Sequence, residues 1–126
     1  MLNRKKIEAV CPVKDIMARY GDKWTMHSIL LLGKHGTLRF SELKSSIEGI
    51  SQRMLTVTLR TLQEDGLVKR TVYAERPPRV EYALTPLGES LLEQLVLLSE
   101  WAHAHLEEIQ KARKQFARKE QQKTKN

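Results

Sequence analysis

Apolar positions recur at helical spacing along most of the chain, and the breaks between them fall at glycine, proline and small polar residues. Over 12–20, Val13, Ile16, Met17 and Tyr20 repeat on one helical face, with Pro12 suited to the first helical position and Gly21 to the stop. Asp22 is a good N-cap, and Trp24, Ile29, Leu30, Leu31 and Leu32 predict a largely buried second helix ending at Gly33. Residues 37–40 follow Gly36 and read as a brief strand. Ser41 then caps a third helix carrying Leu43 and Ile47, with Glu42 in its first turn and Gly49 at its close.

Ser51 caps a fourth helix over 52–65, ended by Gly66, so Gly49, Ile50 and Ser51 alone separate it from the third. A short glycine-containing turn between two helices is the helix-turn-helix pattern. The β-prone stretches 68–73 and 80–84 flank 74–79, where Arg76, Pro77, Pro78 and Arg79 suit a stiff exposed tip, and together they predict a hairpin. Thr85 and Pro86 restart a helix as N-cap and first position, and Leu87, Leu91, Leu95, Leu98, Ala102, Leu106 and Ile109 carry its stripe to about Arg118. The predicted fold is therefore mainly α with a small β-hairpin: a winged helix-turn-helix domain with a long terminal dimerisation helix.

Wound at about 100° per residue, the fourth helix gathers Leu55, Thr58, Leu59 and Leu62 on one face and Arg53, Thr56, Val57 and Arg60 on the other. Arg53 can pair bidentately with guanine and Gln52 with adenine, while Thr56 suits a phosphate or a thymine methyl. The cap at Ser51 leaves free backbone N–H groups at a positive dipole end, where a phosphate can bind. Arg76 and Arg79 flank a tip that does not pack inward readily, and arginines there suit a narrow minor groove. Ser51, Gln52, Arg53, Thr56 and Arg60 on the helix, with Arg76 and Arg79 on the wing, are the candidate contacts to double-stranded DNA. Taken alone, the same residues also suit the solvated face of any amphipathic helix.

A fifth helix of that length spans ~50 Å at ~1.5 Å per residue, well beyond a radius of gyration of ~14 Å for such a chain. Its stripe, with Leu92, Val96 and Trp101 beside it, exceeds what one small core covers. A homodimer is expected through Leu91, Leu95, Leu98, Trp101, Ala102 and Leu106, and with it a pseudo-palindromic operator.

Composition narrows the function. With 126 residues there is room for one compact domain and little more. The net charge of +7 is concentrated, because residues 111–126 hold seven cations against Glu120, leaving the rest nearly balanced. A domain over 1–110 and a basic tail over 111–126, frayed or disordered, are the expected boundaries, the tail serving as a phosphate attractant or a solubilising end. The N-terminal stretch has no apolar signal core, and the aliphatic run 29–32 is far too short to cross a bilayer, so no membrane association and a cytoplasmic location are expected. One cysteine excludes an intrachain disulfide, and His103 and His105 are two apart on a helix, so no metal or cofactor is expected. An enzyme is not expected either: neither a phosphate loop nor a Gly-x-Ser-x-Gly elbow is present.

Several runs together resemble one family. They are Cys11-Pro12, Gly21-Asp22-Lys23-Trp24, Arg39-Phe40-Ser41-Glu42-Leu43, Gly49-Ile50-Ser51-Gln52-Arg53-Met54-Leu55-Thr56 and Pro77-Pro78-Arg79-Val80-Glu81-Tyr82. Leu84-Thr85, Gly88 and Glu100-Trp101-Ala102 continue the pattern. Over 11–102 the chain is similar to the HxlR-type transcriptional regulators. The resemblance implies a small bacterial DNA-binding protein, dimeric through its terminal helices, with the fourth helix in the major groove and the hairpin as wing. It also implies that a cysteine near the N-terminus senses oxidants or electrophiles in some members, and Cys11 stands at that place. As an N-cap beside Lys14, Cys11 would favour thiolate; the alternative is an ordinary buried thiol. A repressor is expected over an activator, since occupying a promoter needs only binding. A small-ligand effector without a thiol switch, and a protein-interaction winged helix, are the competing functions.

Overall fold

The computed structural model of the chain describes residues 4–5 and 13–124. The chain divides into two compact units, Met1–Glu93 and Gln94–Asn126. The first contains α1 (Lys14–Tyr20), α2 (Lys23–His35), β1 (Thr37–Arg39), α3 (Phe40–Ser46), α4 (Gln52–Glu64), β2 (Val68–Tyr73), β3 (Arg79–Leu84) and the start of α5 (Pro86–Thr124). The remainder of α5 is the described part of the second. This is a mainly helical winged helix-turn-helix with a long terminal helix, as the periodicity predicts.

Local chemistry sets the element ends. The Asp22 carboxylate accepts hydrogen bonds from the Thr25 backbone N–H at 2.9 Å and the Thr25 hydroxyl at 2.7 Å, which fixes the start of α2. That helix does not stop at Gly33; it continues to His35, and Gly36 at φ 83° carries the stop. Gly33 is instead a point of close approach, because a methyl group there would collide with the Leu92 side chain. The third helix starts earlier than expected, with Arg39 as N-cap and its backbone N–H donating to Glu42 Oε1 at 2.9 Å. It also ends earlier, at Ser46, because Ile47 and Ile50 leave the helix to bury themselves in the turn, where Gly49 adopts φ 82°.

The hairpin is part of a three-stranded antiparallel sheet ordered β1-β3-β2. Tyr82 lies opposite Leu38 on one side and Arg70 on the other. The core joins Ile29 and Leu32 of α2, Leu43 of α3, Leu55, Leu59 and Leu62 of α4, and Leu38 and Tyr82 of the sheet. Thr85 links the hairpin to α5: its hydroxyl donates to the Gly66 carbonyl at 2.6 Å and accepts from the Gly88 N–H at 3.1 Å.

Two helices depart from the predicted burial or length. No residue of α1 is fully buried: Tyr20 is half-buried, while Ile16 and Met17, the latter 65% exposed, find no cover within the described chain. The expected Pro12 start and the Cys11 cap lie outside the described residues. Where the sequence stripe ends the last helix near Arg118, the structure carries α5 to Thr124. Residues 111–123 contain only Lys, Arg, Gln, Glu, Ala and Phe, which includes the strongest helix formers and neither glycine nor proline.

Candidate nucleic-acid interface

The turn and the cap together aim α4. Ser51 Oγ accepts from the Met54 N–H at 3.0 Å, so this hydroxyl anchors the first turn. Leu55, Thr58, Leu59 and Leu62 are buried, and Gln52, Arg53, Thr56, Val57 and Arg60 are exposed, which is the division the helical winding predicts. The Thr56 hydroxyl donates to the Gln52 carbonyl at 2.8 Å. Its donor is thus committed within the helix, and the methyl group is the part left for a thymine methyl.

The arginines on this face differ. Arg53 has no side-chain ion pair or hydrogen bond among the described residues, whereas Arg60 Nε lies 3.2 Å from Glu64 Oε1 one turn on. Arg53 therefore offers a full fork of donors, and Arg60 a partly compensated charge. The wing shows a sharper split. Arg76 is exposed at the tip without a side-chain partner among the described residues. Arg79 turns back into the hairpin with 26% of its side chain exposed: Nη2 is 3.3 Å from Glu75, Nε is 3.2 Å from Glu81, and the guanidinium lies 4.1 Å over the Tyr73 ring. The Nε is buried and faces Glu81 as an ion pair without hydrogen-bond geometry. The two wing arginines, equivalent in sequence, are placed in opposite roles.

Two features of this face were not singled out by sequence. Arg70 on β2 is exposed and lines a cleft beside α4 together with Arg60; only the register of β2 against β3 brings it there. At the other end of α4, Asp65 binds residues of α1. It accepts from Arg19 Nε at 2.8 Å, Arg19 Nη2 at 3.1 Å and the Tyr20 hydroxyl at 2.5 Å. The Tyr20 hydroxyl and then the Arg19 guanidinium hold the Asp65 carboxyl below its ordinary value. Partial burial, aided by the Asp65 bond, raises the Tyr20 hydroxyl above its own. An anion at the negative end of a helix is unfavourable by itself, and Arg19 offsets it.

The expected dimer residues all lie on α5. Leu98 and Trp101 are each 54% exposed, Leu106 and Ala102 are exposed, and Leu91 and Leu95 are half-buried. Leu97 and Phe116 are exposed too, though the sequence stripe did not include them. No helix among the described residues is long and apolar enough to cross a membrane, and no cluster of three His, Cys, Asp or Glu among them could hold a metal ion.

Comparison with known proteins places this geometry in a family. The HxlR-like helix-turn-helix profile matches residues 20–110. An uncharacterized HTH-type transcriptional regulator of Methanothermobacter thermautotrophicus is 48% identical over 94 residues, 75% of this chain and 71% of that protein. The uncharacterized HTH-type transcriptional regulator YtfH of Escherichia coli strain K12 is 38% identical over 99 residues, 79% and 78% of the two chains. Among solved structures, the redox regulator HypR in its reduced form superposes with a TM-score of 0.73 at 35% identity, covering 79% of this chain and 98% of that one. On the family match and these identities, the chain belongs to the HxlR-like helix-turn-helix family.

Proposed function

We propose that the chain is a sequence-specific DNA-binding transcriptional regulator that acts in the cytoplasm as a homodimeric repressor. The observation that carries this reading is the division of α4: four residues are buried in the core, while Gln52, Arg53, Thr56 and Arg60 stand clear of it after a capped turn. Those side chains match the edges of a major groove, and the exposed Arg76 at the wing tip suits the flanking minor groove. The relatives named as transcriptional regulators support the same reading.

Dimerisation rests on a seam along α5. Leu95, Leu98, Ala102, His105, Ile109, Ala112 and Phe116 follow one another at alternating steps of three and four, the spacing by which two helices interlock. A second copy buries this row, and its two-fold axis makes the operator pseudo-palindromic. The signal we assign is an oxidant or electrophile acting at Cys11, the one cysteine of the chain. The similarity of this chain to HypR, a redox regulator by name, supports this assignment. The Cys11 thiols of two copies could close a disulfide, giving two electrons and two protons to the oxidant.

Selection of genomic fragments by the purified protein at two salt concentrations, with Cys11 reduced and oxidised, tests the whole reading. One palindromic motif retained at both salts is expected, with its occupancy changed by oxidation in the wild type and not in Cys11→Ser. Fragments sharing no motif overturn sequence-specific recognition. A Cys11→Ser protein that still responds to inducer assigns the signal to a small ligand.

A further inference from the structure

An open cleft of about 530 Å³ lies between one flank of α4 and the two strands of the hairpin. Gln52 and Thr56 line it from α4, Tyr82 from β3, and two arginines from opposite sides, Arg60 from α4 and Arg70 from β2. Among the described residues, no carboxylate lines it. Glu64 compensates Arg60, at 3.2 Å, from a neighbouring helix position. Arg70 has no side-chain ion pair or hydrogen bond among the described residues, so its charge is the uncompensated one. Two guanidiniums sharing one open space, with the Gln52 amide beside them, form a receptor for an anion.

The position of the cleft names the anion. The outward centre of α4 is Arg53, Val57 and Arg60, and Gln52 and Thr56 lie to its hairpin side. A helix inserted in a major groove has one phosphodiester strand along each flank, and the strand on the hairpin side passes over this cleft. We infer that the cleft seats a backbone phosphate of the bound duplex, held by Arg70 with Arg60. This rests on the DNA-binding reading above and extends it. Arg70 fixes how the protein is positioned on the duplex and contributes to salt dependence; Arg53 reads sequence.

The test uses the full chain as wild type, Arg70→Gln and Arg70→Lys. Affinity for the selected operator and for an unrelated duplex is measured across a salt series. Arg70→Gln is expected to weaken both on the order of tenfold, to leave the preferred motif unchanged, and to make the salt slope shallower by about one. Arg70→Lys, retaining the charge without the fork, is expected to restore the slope and part of the affinity. Wild-type slope and affinity in Arg70→Gln overturn the inference, as does an altered motif, which assigns Arg70 to base edges. A wild-type chain that prefers no motif but still loses a slope unit on Arg70→Gln overturns the sequence-specific reading and leaves the phosphate clamp standing. A chain that binds no duplex at all overturns both. Calorimetric titration with inorganic phosphate separates the sources: saturable, Arg70-dependent uptake without DNA assigns the cleft to a free anion and overturns the duplex phosphate, and its absence supports it.

Discussion

Helix α4 and the distal part of α5 are both amphipathic, and they dispose of their apolar faces differently. In α4, Leu55, Leu59 and Leu62 are buried by the rest of the first unit. In the second unit, Leu97 is 59% exposed, and Leu98, Trp101 and Phe116 are exposed as well. The first helix is stabilised within the chain, so its polar face is free for recognition. The second leaves several large apolar side chains in contact with solvent, the surface that the proposed dimer would cover.

The largest effects test that contrast. Leu98→Asp combined with Ile109→Asp places two charges on the α5 seam. The variant is expected to sediment as a folded monomer and to bind the operator about 100-fold more weakly or worse, because linking two reading heads is worth ~10²–10⁴ in avidity. A variant that remains dimeric, or a monomer with undiminished affinity, breaks the comparison from the α5 side. Leu59→Ala works from the other side. Opening a cavity in the first unit is expected to cost about 2–5 kcal/mol, read as a lower denaturant midpoint, with the dimer dissociation constant of the folded protein unchanged.

Next in size is the recognition face. Arg53→Ala is expected to cost about 1–3 kcal/mol of operator affinity and to relax preference at one base pair, measured by repeated fragment selection. The wing pair sharpens the point. Arg76→Ala is expected to reduce the salt slope by about one while leaving the hairpin intact. Arg79→Ala removes the pairs to Glu75 and Glu81 and the contact with Tyr73, so it acts on the hairpin itself, as loss of dispersion in its amide resonances would report. Equal effects of the two substitutions on the salt slope, with the hairpin unperturbed in both, would remove the distinction between them.

Much of the fold was legible because each signal is local. Periodicity placed the buried set of α4, glycine and cap residues bounded the helices to within a few positions, and Thr85-Pro86 marked the start of α5. Errors arose where a tertiary contact overrides a local cue. Gly33 looks like a helix stop, and it is small because Leu92 packs against it. The third helix gives up its last turn so that Ile47 and Ile50 can reach the core. The site divides the same way. Spacing along one helix identified the exposed set, but Arg70 faces the cleft through strand register, and Arg79 is withdrawn by partners at Glu75, Glu81 and Tyr73 that composition cannot reveal.

The smallest expected effect concerns the tie between α1 and the end of α4. Asp65 has a lowered pKa in the folded chain, so its contribution to stability is present above the ordinary aspartate value of about 3.9 and is lost as pH falls through the folded one. Tyr20 has a raised pKa, so its contribution is present below the ordinary tyrosine value of about 10 and is lost as pH rises through the folded one. The tie is thus fully formed between those two limits. Because Arg19 and Asp65 stand partly in solvent, Asp65→Asn is expected to lower Tm by no more than a few degrees near neutral pH. The gap between wild type and variant should close below the carboxylate range, where the wild-type side chain is neutral as well. A gap that persists undiminished into that range would trace the loss to packing at the helix end and not to the charge Asp65 shares with Arg19 and Tyr20.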